Sequence, residues 1–338
     1  MKFVSFRSNE HQERLGLYVN ERIYDIQDNA SLIGVTIPGT MLEFLRGGEK
    51  LMDYARKVHT AILDGNADKP AGSATLLAPV PRPPSCRDAY AFRQHVAAAR
   101  RNRNVEMIPE FDQYPIFYFT NHNAVYGEGD ILVESDHLQK LDFELEAAVV
   151  IGKRGKNITS KEADSYIAGY TIMNDWSARV LQMEEMKLNL GPAKGKDFAT
   201  CIGPWLVTPD ELADVRETGE FGDRYSLRMT ARHNGALISD GNMKDMTWTF
   251  AEIIERCAYG VEMFPGDVIG SGTVGTGCYL ELNGTHARLA KEKGGSYDPV
   301  WIETGDTMEL AIERLGVLRN RVVQAPADYS ILAKKKNV

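Results

Sequence analysis

The sequence predicts an α+β fold, mostly β, and three observations carry that prediction. From Pro204 onward, short apolar or alternating runs recur between turn residues, at 205–208, 226–234, 268–271, 278–283, 307–312 and 316–323. Helical spacing interrupts them only near 249–257. Many short strands with few helices point to a mixed, mostly antiparallel β fold. The third observation is the stretch 141–152, LDFELEAAVVIG, which alternates strictly and then runs apolar. That is the period-2 pattern of a strand.

Taken in order, residues 1–78 read as a small β-rich domain. Residues 2–6 form a strand, and 15–26 (LGLYVNERIYDI) form a hairpin about Asn20-Glu21. Residues 40–64 carry helical spacing through Leu42, Phe44, Leu45, Leu51, Tyr54, Val58 and Ile62, split at Gly47-Gly48. The proline-rich stretch 78–84 is an extended connector that places the domain boundary, with a catalytic domain over 79–338. Next comes an alanine-rich helix over 87–102, N-capped by Asp88. Strands follow at 115–119 and 127–133, then the acidic strand, then a short helix at 160–167. A buried strand at 169–173 feeds the first turns of a helix at 174–182. Gly-Pro makes 188–196 a loop, and 334–338 is a frayed basic tail.

The bulk numbers exclude several classes. A chain of 338 residues with net charge -8 lacks the basic footprint that nucleic-acid binding needs. No apolar run approaches the roughly 20 residues of a membrane span, and the N-terminus lacks a secretory pattern. Cys86, Cys201, Cys257 and Cys278 are far apart with no CxxC, which suits reduced thiols in the cytoplasm.

On the acidic strand, Phe143, Leu145, Ala147 and Val149 share one face, while Asp142, Glu144 and Glu146 share the other with Ala148 and Val150. A half-exposed strand with an acidic outer face fits this spacing. So does a strand entering the interior, where crowded carboxylates need a bound cation or an arginine or lysine clamp. Asp175, Arg179 and Gln182 lie at i, i+4 and i+7, either a site wall or a surface ion pair, after a buried run that delivers Asp175 from the interior. Asp88 and His95 are seven apart on the predicted helix, a spacing open to a metal ligand with a general base or to a packed histidine. His11, His59, His122, His137, His233 and His286 have no motif around them. Residues 270–275 match GxGxxG, but the run after them reads as a strand, where a dinucleotide site needs a helix. A tight turn whose backbone or Thr273 hydroxyl faces a ligand fits better, and a nucleotide-dependent oxidoreductase is the reading that a titration with NAD(P)H should dismiss.

Together these residues resemble the fumarylacetoacetate hydrolase family. The resemblance rests on Asp88-x-Tyr90-x-x-Arg93-Gln94-His95, on Asp142-x-Glu144-x-Glu146, and on Met173-Asn174-Asp175-Trp176-Ser177-Ala178-Arg179. Gly195-Lys196-Asp197-Phe198, Gly203-Pro204-Trp205, Gly272-Thr273 and Leu280-Glu281-Leu282 continue it in family order. It implies a mixed β-sandwich roll as catalytic domain, usually in a homodimer. It implies a divalent metal (Mg²⁺, Ca²⁺ or Mn²⁺) on Asp88, Glu144, Glu146 and Asp175. It further implies His95 as the base that activates water, oriented by Glu281, with Arg179, Gln182 and Lys196 stabilising the oxyanion and a metal-bound enolate as leaving group. Tyr90 and Thr273 would contact the substrate. Two positions depart from the pattern. The family's arginine nine residues after the histidine falls on Asn104, with Arg103 beside it as a replacement. The family's substrate tyrosine falls near Met186 or Lys187.

The expected activity is metal-dependent hydrolysis of a C–C bond in a small anionic β-diketone, fumarylacetoacetate or a related diketo acid, in aromatic amino acid catabolism such as tyrosine degradation. The alternative is a lyase or isomerase on the same metal site: a 2-oxo acid decarboxylase, hydratase or isomerase. It needs no water nucleophile and predicts little loss on removing Glu281.

Overall fold

A computed structural model of the chain describes residues 1–8, 12–327 and 329–334. His11 and residues 335–338 of the expected tail lie outside the described residues. Strands β1 (Lys2–Arg7), β2 (Glu13–Val19) and β3 (Arg22–Asp25) pair antiparallel in sequence order. Asn20 and Glu21 turn the hairpin with φ of 47° and 62°, the left-handed pair whose twist matches the flanking strands. Helix α1 (Ile26–Leu32), which the sequence reading lacks, starts because the Asp25 carboxylate accepts from Gln27 N and Asp28 N. Helices α2 (Met41–Arg46) and α3 (Gly48–Leu63) part at Gly47-Gly48 as expected.

The rest of the chain supplies β4 (Cys86–Ala89), α4 (Arg93–Asn102), β5 (Phe117–Thr120), β6 (Gly129–Val133), β7 (Leu145–Ile151) and β8 (Ile167–Asp175). After these come α5 (Arg179–Met186), β9 (Thr200–Val207), β10 (Arg228–His233), β11 (Ala236–Asn242) and α6 (Phe250–Ala258). The series closes with β12 (Val268–Gly270), α7 (Tyr279–Glu292), β13 (Thr307–Ile312) and β14 (Gly316–Gln324). An eleven-stranded sheet runs β3-β2-β1-β9-β8-β7-β12-β4-β5, with two short strands off this path. A five-stranded sheet runs β11-β10-β13-β14-β6. Pairing is mostly antiparallel, and β12 with β4 and β14 with β6 are parallel. The N-terminal strands extend the large sheet, since Lys2 pairs with Val207.

The large sheet is apolar on both faces, and β7 shows why its sequence alternates then runs apolar. Leu145, Ala147 and Val149 enter a core shared with Met229, Leu310 and Leu318 of the smaller sheet. Ala148 and Val150 enter a second core with Phe3, Leu17, Met41 and Phe44. Burying a side chain of that size contributes roughly 1.5–3 kcal/mol.

Several expectations change. The stretch 87–102 is not one helix: Asp88 lies on strand β4, and α4 begins at Arg93 with Phe92 as N-cap. Residues 86–89 are all buried and paired with β5 and β12, so tertiary pairing overrides the helical propensity of the alanines. Residues 279–282 are helical, not a strand, because a short apolar run fits either period. The 141–152 stretch is two pieces: Leu141–Asp142 pairs with Ser177–Ala178, while β7 joins the large sheet.

Candidate active site

Register alone brings the acidic side chains together. In the large sheet β8, β7, β12, β4 and β5 are successive neighbours. Glu146 is opposite Met173, Gly270 is opposite both Ala148 and Asp88, and Asp88 is opposite Tyr118. Asp175 ends β8, and Glu144 is held just ahead of β7 by a 2.9 Å hydrogen bond from its N–H to Asn174 Oδ1. One oxygen from each of Asp88, Glu144, Glu146 and Asp175 lies within 4.8 Å of the others. Their residues are 3, 6, 0 and 0% exposed, which removes the reading of a solvated acidic face. Asp142 shares their strand face in sequence but turns to another task. It accepts from Tyr279 N (2.7 Å) and Leu280 N (2.9 Å), the open N-terminus of α7.

The cluster is electrostatically divided. Burial and the Asp175 charge push the Asp88 carboxyl up to about 7. Burial and the Asp88 charge push Glu146 well above the carboxylate range, and burial also raises Asp175. Burial acts upward on Glu144 as well, but Lys196 and Arg179 outweigh it and hold that carboxyl at about 2. Lys196 Nζ contacts Glu144 and lies 2.9 Å from Asp175 Oδ2. Arg179 donates to Asp142 (2.8 Å), Glu144 (2.8 Å) and Gln182 Oε1 (2.9 Å). The two cations expected to stabilise an oxyanion are therefore engaged on the carboxylates. Of the expected Asp175-Arg179-Gln182 stripe, only Arg179 and Gln182 share a helix, and Asp175 reaches the site from the strand before it.

A divalent cation fits these residues. The donors are all oxygen, which suits Mg²⁺, Ca²⁺ or Mn²⁺. Asp175 Oδ1 is buried with no hydrogen-bond partner among the described residues. Gly270 keeps the cradle open, since a Cβ there would lie 2.5 Å from Asp88 Oδ1 and 2.9 Å from Glu146 Oε2. Gly272 N–H donates to Asp88 Oδ1 (3.1 Å) and Glu146 Oε2 (3.2 Å), and Thr273 Oγ1 is 3.5 Å from Glu146 Oε1. The glycine turn thus serves carboxylates. A helix does follow it, not the strand expected there, so its following run does not exclude a dinucleotide. The ground against one is that Asp142 already fills that helix N-terminus.

Beside the cluster stands an imidazole–carboxylate pair. His95 Nδ1 is 2.6 Å from Glu281 Oε2, and Glu281 Oε1 accepts from Thr276 N at 3.0 Å. His95 comes from α4 and Glu281 from the first turn of α7. His95 lines a cavity of about 490 Å³ with Asp88, Glu144, Lys196, Thr273, Tyr90 and Arg103, and Glu281 holds His95 from behind that lining. The Tyr90 ring stands edge-on to His95, 6.0 Å between centroids. Met183 and Met186 add an apolar wall.

The "Fumarylacetoacetate (FAA) hydrolase C-terminal" family model matches residues 85–323. The chain belongs to the fumarylacetoacetate hydrolase family. Within that family it is similar to Oxaloacetate tautomerase FAHD2B, mitochondrial, of Bos taurus, at 32% identity over 289 residues, covering 85% of this chain and 81% of the relative. Oxaloacetate tautomerase YisK of Bacillus subtilis is 28% identical over 332 residues, covering 94% and 100%. The solved fumarylacetoacetate hydrolase from Exiguobacterium antarcticum shares the fold at TM-score 0.68 and 23% identity, covering 96% of this chain and 100% of that one. Among the described residues no helix is long and apolar enough to cross a membrane.

Tyr118 escaped the sequence reading. Its hydroxyl donates to Asp175 Oδ2, and burial pushes that hydroxyl well above its usual range. Only the β4–β5 register, with Asp88 opposite Tyr118, would have marked it.

Proposed function

We propose that the protein is a divalent-metal-dependent isomerase that interconverts the keto and enol forms of a small anionic 2-oxo acid, oxaloacetate among them. The observation that carries the reading is the buried four-carboxylate cluster beside the His95–Glu281 pair on one cavity. Relatives above 30% identity that carry the name oxaloacetate tautomerase favour the isomerase over C–C hydrolysis and over a role in tyrosine degradation.

Asp88, Glu144, Glu146 and Asp175 would hold the cation, which supplies positive charge that acidifies a C–H beside a ketone. Lys196 and Arg179 keep Glu144 ionised, and Tyr118 and Lys196 orient Asp175. With Nδ1–H donating to Glu281, His95 is left with Nε2 as its basic nitrogen. Nε2 takes the proton from C3 of the 2-oxo acid, and the imidazolium returns it to the ketone oxygen; the reverse transfer restores the ketone. No C–C bond breaks and no water adds. Gln182, Tyr90, Arg103 and Thr273, which line the cavity, would contact the substrate's oxygens, and Met183 and Met186 would lie against its apolar part. Glu281 fixes the imidazole tautomer that a carbon base needs as much as a water base does. It is therefore not dispensable, contrary to what the isomerase alternative implies on sequence alone. A homodimer and a small anionic substrate belong to the same proposal.

The test follows decay of the oxaloacetate enol absorbance in metal-free protein, with EDTA and with Mg²⁺ or Mn²⁺ restored, alongside pyruvate release from acylpyruvates. Metal-dependent enol exchange that His95→Gln abolishes, without pyruvate release, supports the reading. Metal-independent exchange, or acylpyruvate cleavage as the dominant activity, overturns it.

A further inference from the structure

The His95–Glu281 pair spans two packed helices, so the geometry of that bond depends on how the helices are held to each other. The structure contains a second point of attachment. His95 and Asn102 are seven residues apart on α4, so they share one face, separated by about 10 Å. Asn102 Nδ2 donates to Glu281 O and to Thr285 Oγ1, both at 3.1 Å. Thr285 Oγ1 lies 3.5 Å from Asn102 Oδ1 in return. Gly284 permits this approach, since a Cβ there would sit 2.7 Å from Asn102 Nδ2 and 3.0 Å from its Cβ and Cγ. Asn102 is thus tied to the backbone of the very residue whose carboxylate holds His95.

We infer that Asn102 is a positioning residue: with Gly284 and Thr285 it forms a joint between α4 and α7 that sets the His95–Glu281 hydrogen bond. The joint closes a loop of contacts from His95 along α4 to Asn102, across to Glu281 O, and back through the Glu281 side chain to His95. Breaking it lets the helices shift where the proton is carried while the carboxylate cluster, seated on the sheet, stays in place. Asn102 and Gly284 also line the cavity, whereas Thr285 is not among its lining residues. Thr285→Val therefore separates a joint from a substrate contact.

This inference rests on His95 as proton carrier, and its experiment reads the joint with and without turnover. Thr285→Val, Gly284→Ala and Asn102→Ala are compared with the full-length wild type for kcat, KM, Mn²⁺ affinity and the downfield proton resonance of the His95–Glu281 hydrogen bond. The joint predicts that Thr285→Val and Gly284→Ala lower kcat by about 10- to 100-fold, the cost of a misplaced catalytic group. KM and Mn²⁺ affinity stay within about twofold, and the resonance shifts or broadens. An unchanged kcat and an unmoved resonance in folded Thr285→Val overturn the joint. So does a rise in KM confined to Asn102→Ala, which would make Asn102 a substrate contact. A resonance that moves while turnover does not supports the joint and condemns His95 as the proton carrier. Thr285→Val is close to isosteric, so the test stands even if Gly284→Ala fails to fold.

Discussion

The carboxylate cluster and the imidazole pair serve one cavity, but they are built on different scaffolds. Asp88, Glu146 and Asp175 sit on strands, and Glu144 immediately precedes one. The backbone ladders of β8, β7, β12 and β4 fix where their side chains converge. His95 and Glu281 sit on two helices whose relation depends on side chains. Backbone register makes a rigid cradle for an ion. Helix packing makes an adjustable mount for the group that moves the proton. The first should fail only when a ligand is lost, and the second by degrees.

The largest effect that separates them is loss of a ligand. Glu146→Gln should lower metal-dependent kcat/KM by about 1000-fold or more, the several kcal/mol of charge stabilisation that a Lewis acid supplies. Calorimetry should find Mn²⁺ binding lost with it. His95→Gln should lower kcat by about 10²- to 10⁴-fold, the range for a general base, with Mn²⁺ affinity kept. Glu281→Gln should lose less, about 10- to 100-fold, the usual cost of removing a histidine's supporting partner. Equal loss of metal binding in His95→Gln would erase the distinction between the two scaffolds.

A gentler probe is pH. Burial and the Asp175 charge push the Asp88 carboxyl up to about 7 from an ordinary 3.8, and burial with the Asp88 charge raises Glu146 well above the carboxylate range. Between those limits the folded metal-free protein binds more protons than the unfolded chain, so its stability falls as pH rises from about 4 through about 7. Denaturant titrations of EDTA-treated protein should show that fall, and Mn²⁺ should cancel it. A stability that rises over this window would contradict the account. The smallest effect is remote. Thr249→Ala removes the capping box of α6, should cost about 1 kcal/mol of stability, and should leave kcat unchanged.

Part of the cradle was legible in the sequence. The period of two over 141–152 marks Glu144 and Glu146 as sharing a strand face without saying that it is buried, and Asp175 follows an unbroken buried run. Asp88 and the joining of all four came from the resemblance. The hairpin at Asn20-Glu21 and the break at Gly47-Gly48 were legible through turn chemistry. The imidazole pair was not. Asp88 and His95 share helical spacing, but residues 86–89 pair as a strand, and the partner on α4's face is Asn102. The run 278–283 is too short for its period to choose between strand and helix, so Glu281 was identified by resemblance alone. Long-range pairing, which placed Tyr118 against Asp175, leaves no local trace.

The most direct measurement is anomalous diffraction from a crystal soaked in Mn²⁺. The account predicts one peak bonded to oxygens of Asp88, Glu144, Glu146 and Asp175, on the cavity that His95 faces. A crystal that takes up Mn²⁺ elsewhere, or leaves that carboxylate cluster without a peak at saturating metal, would contradict it.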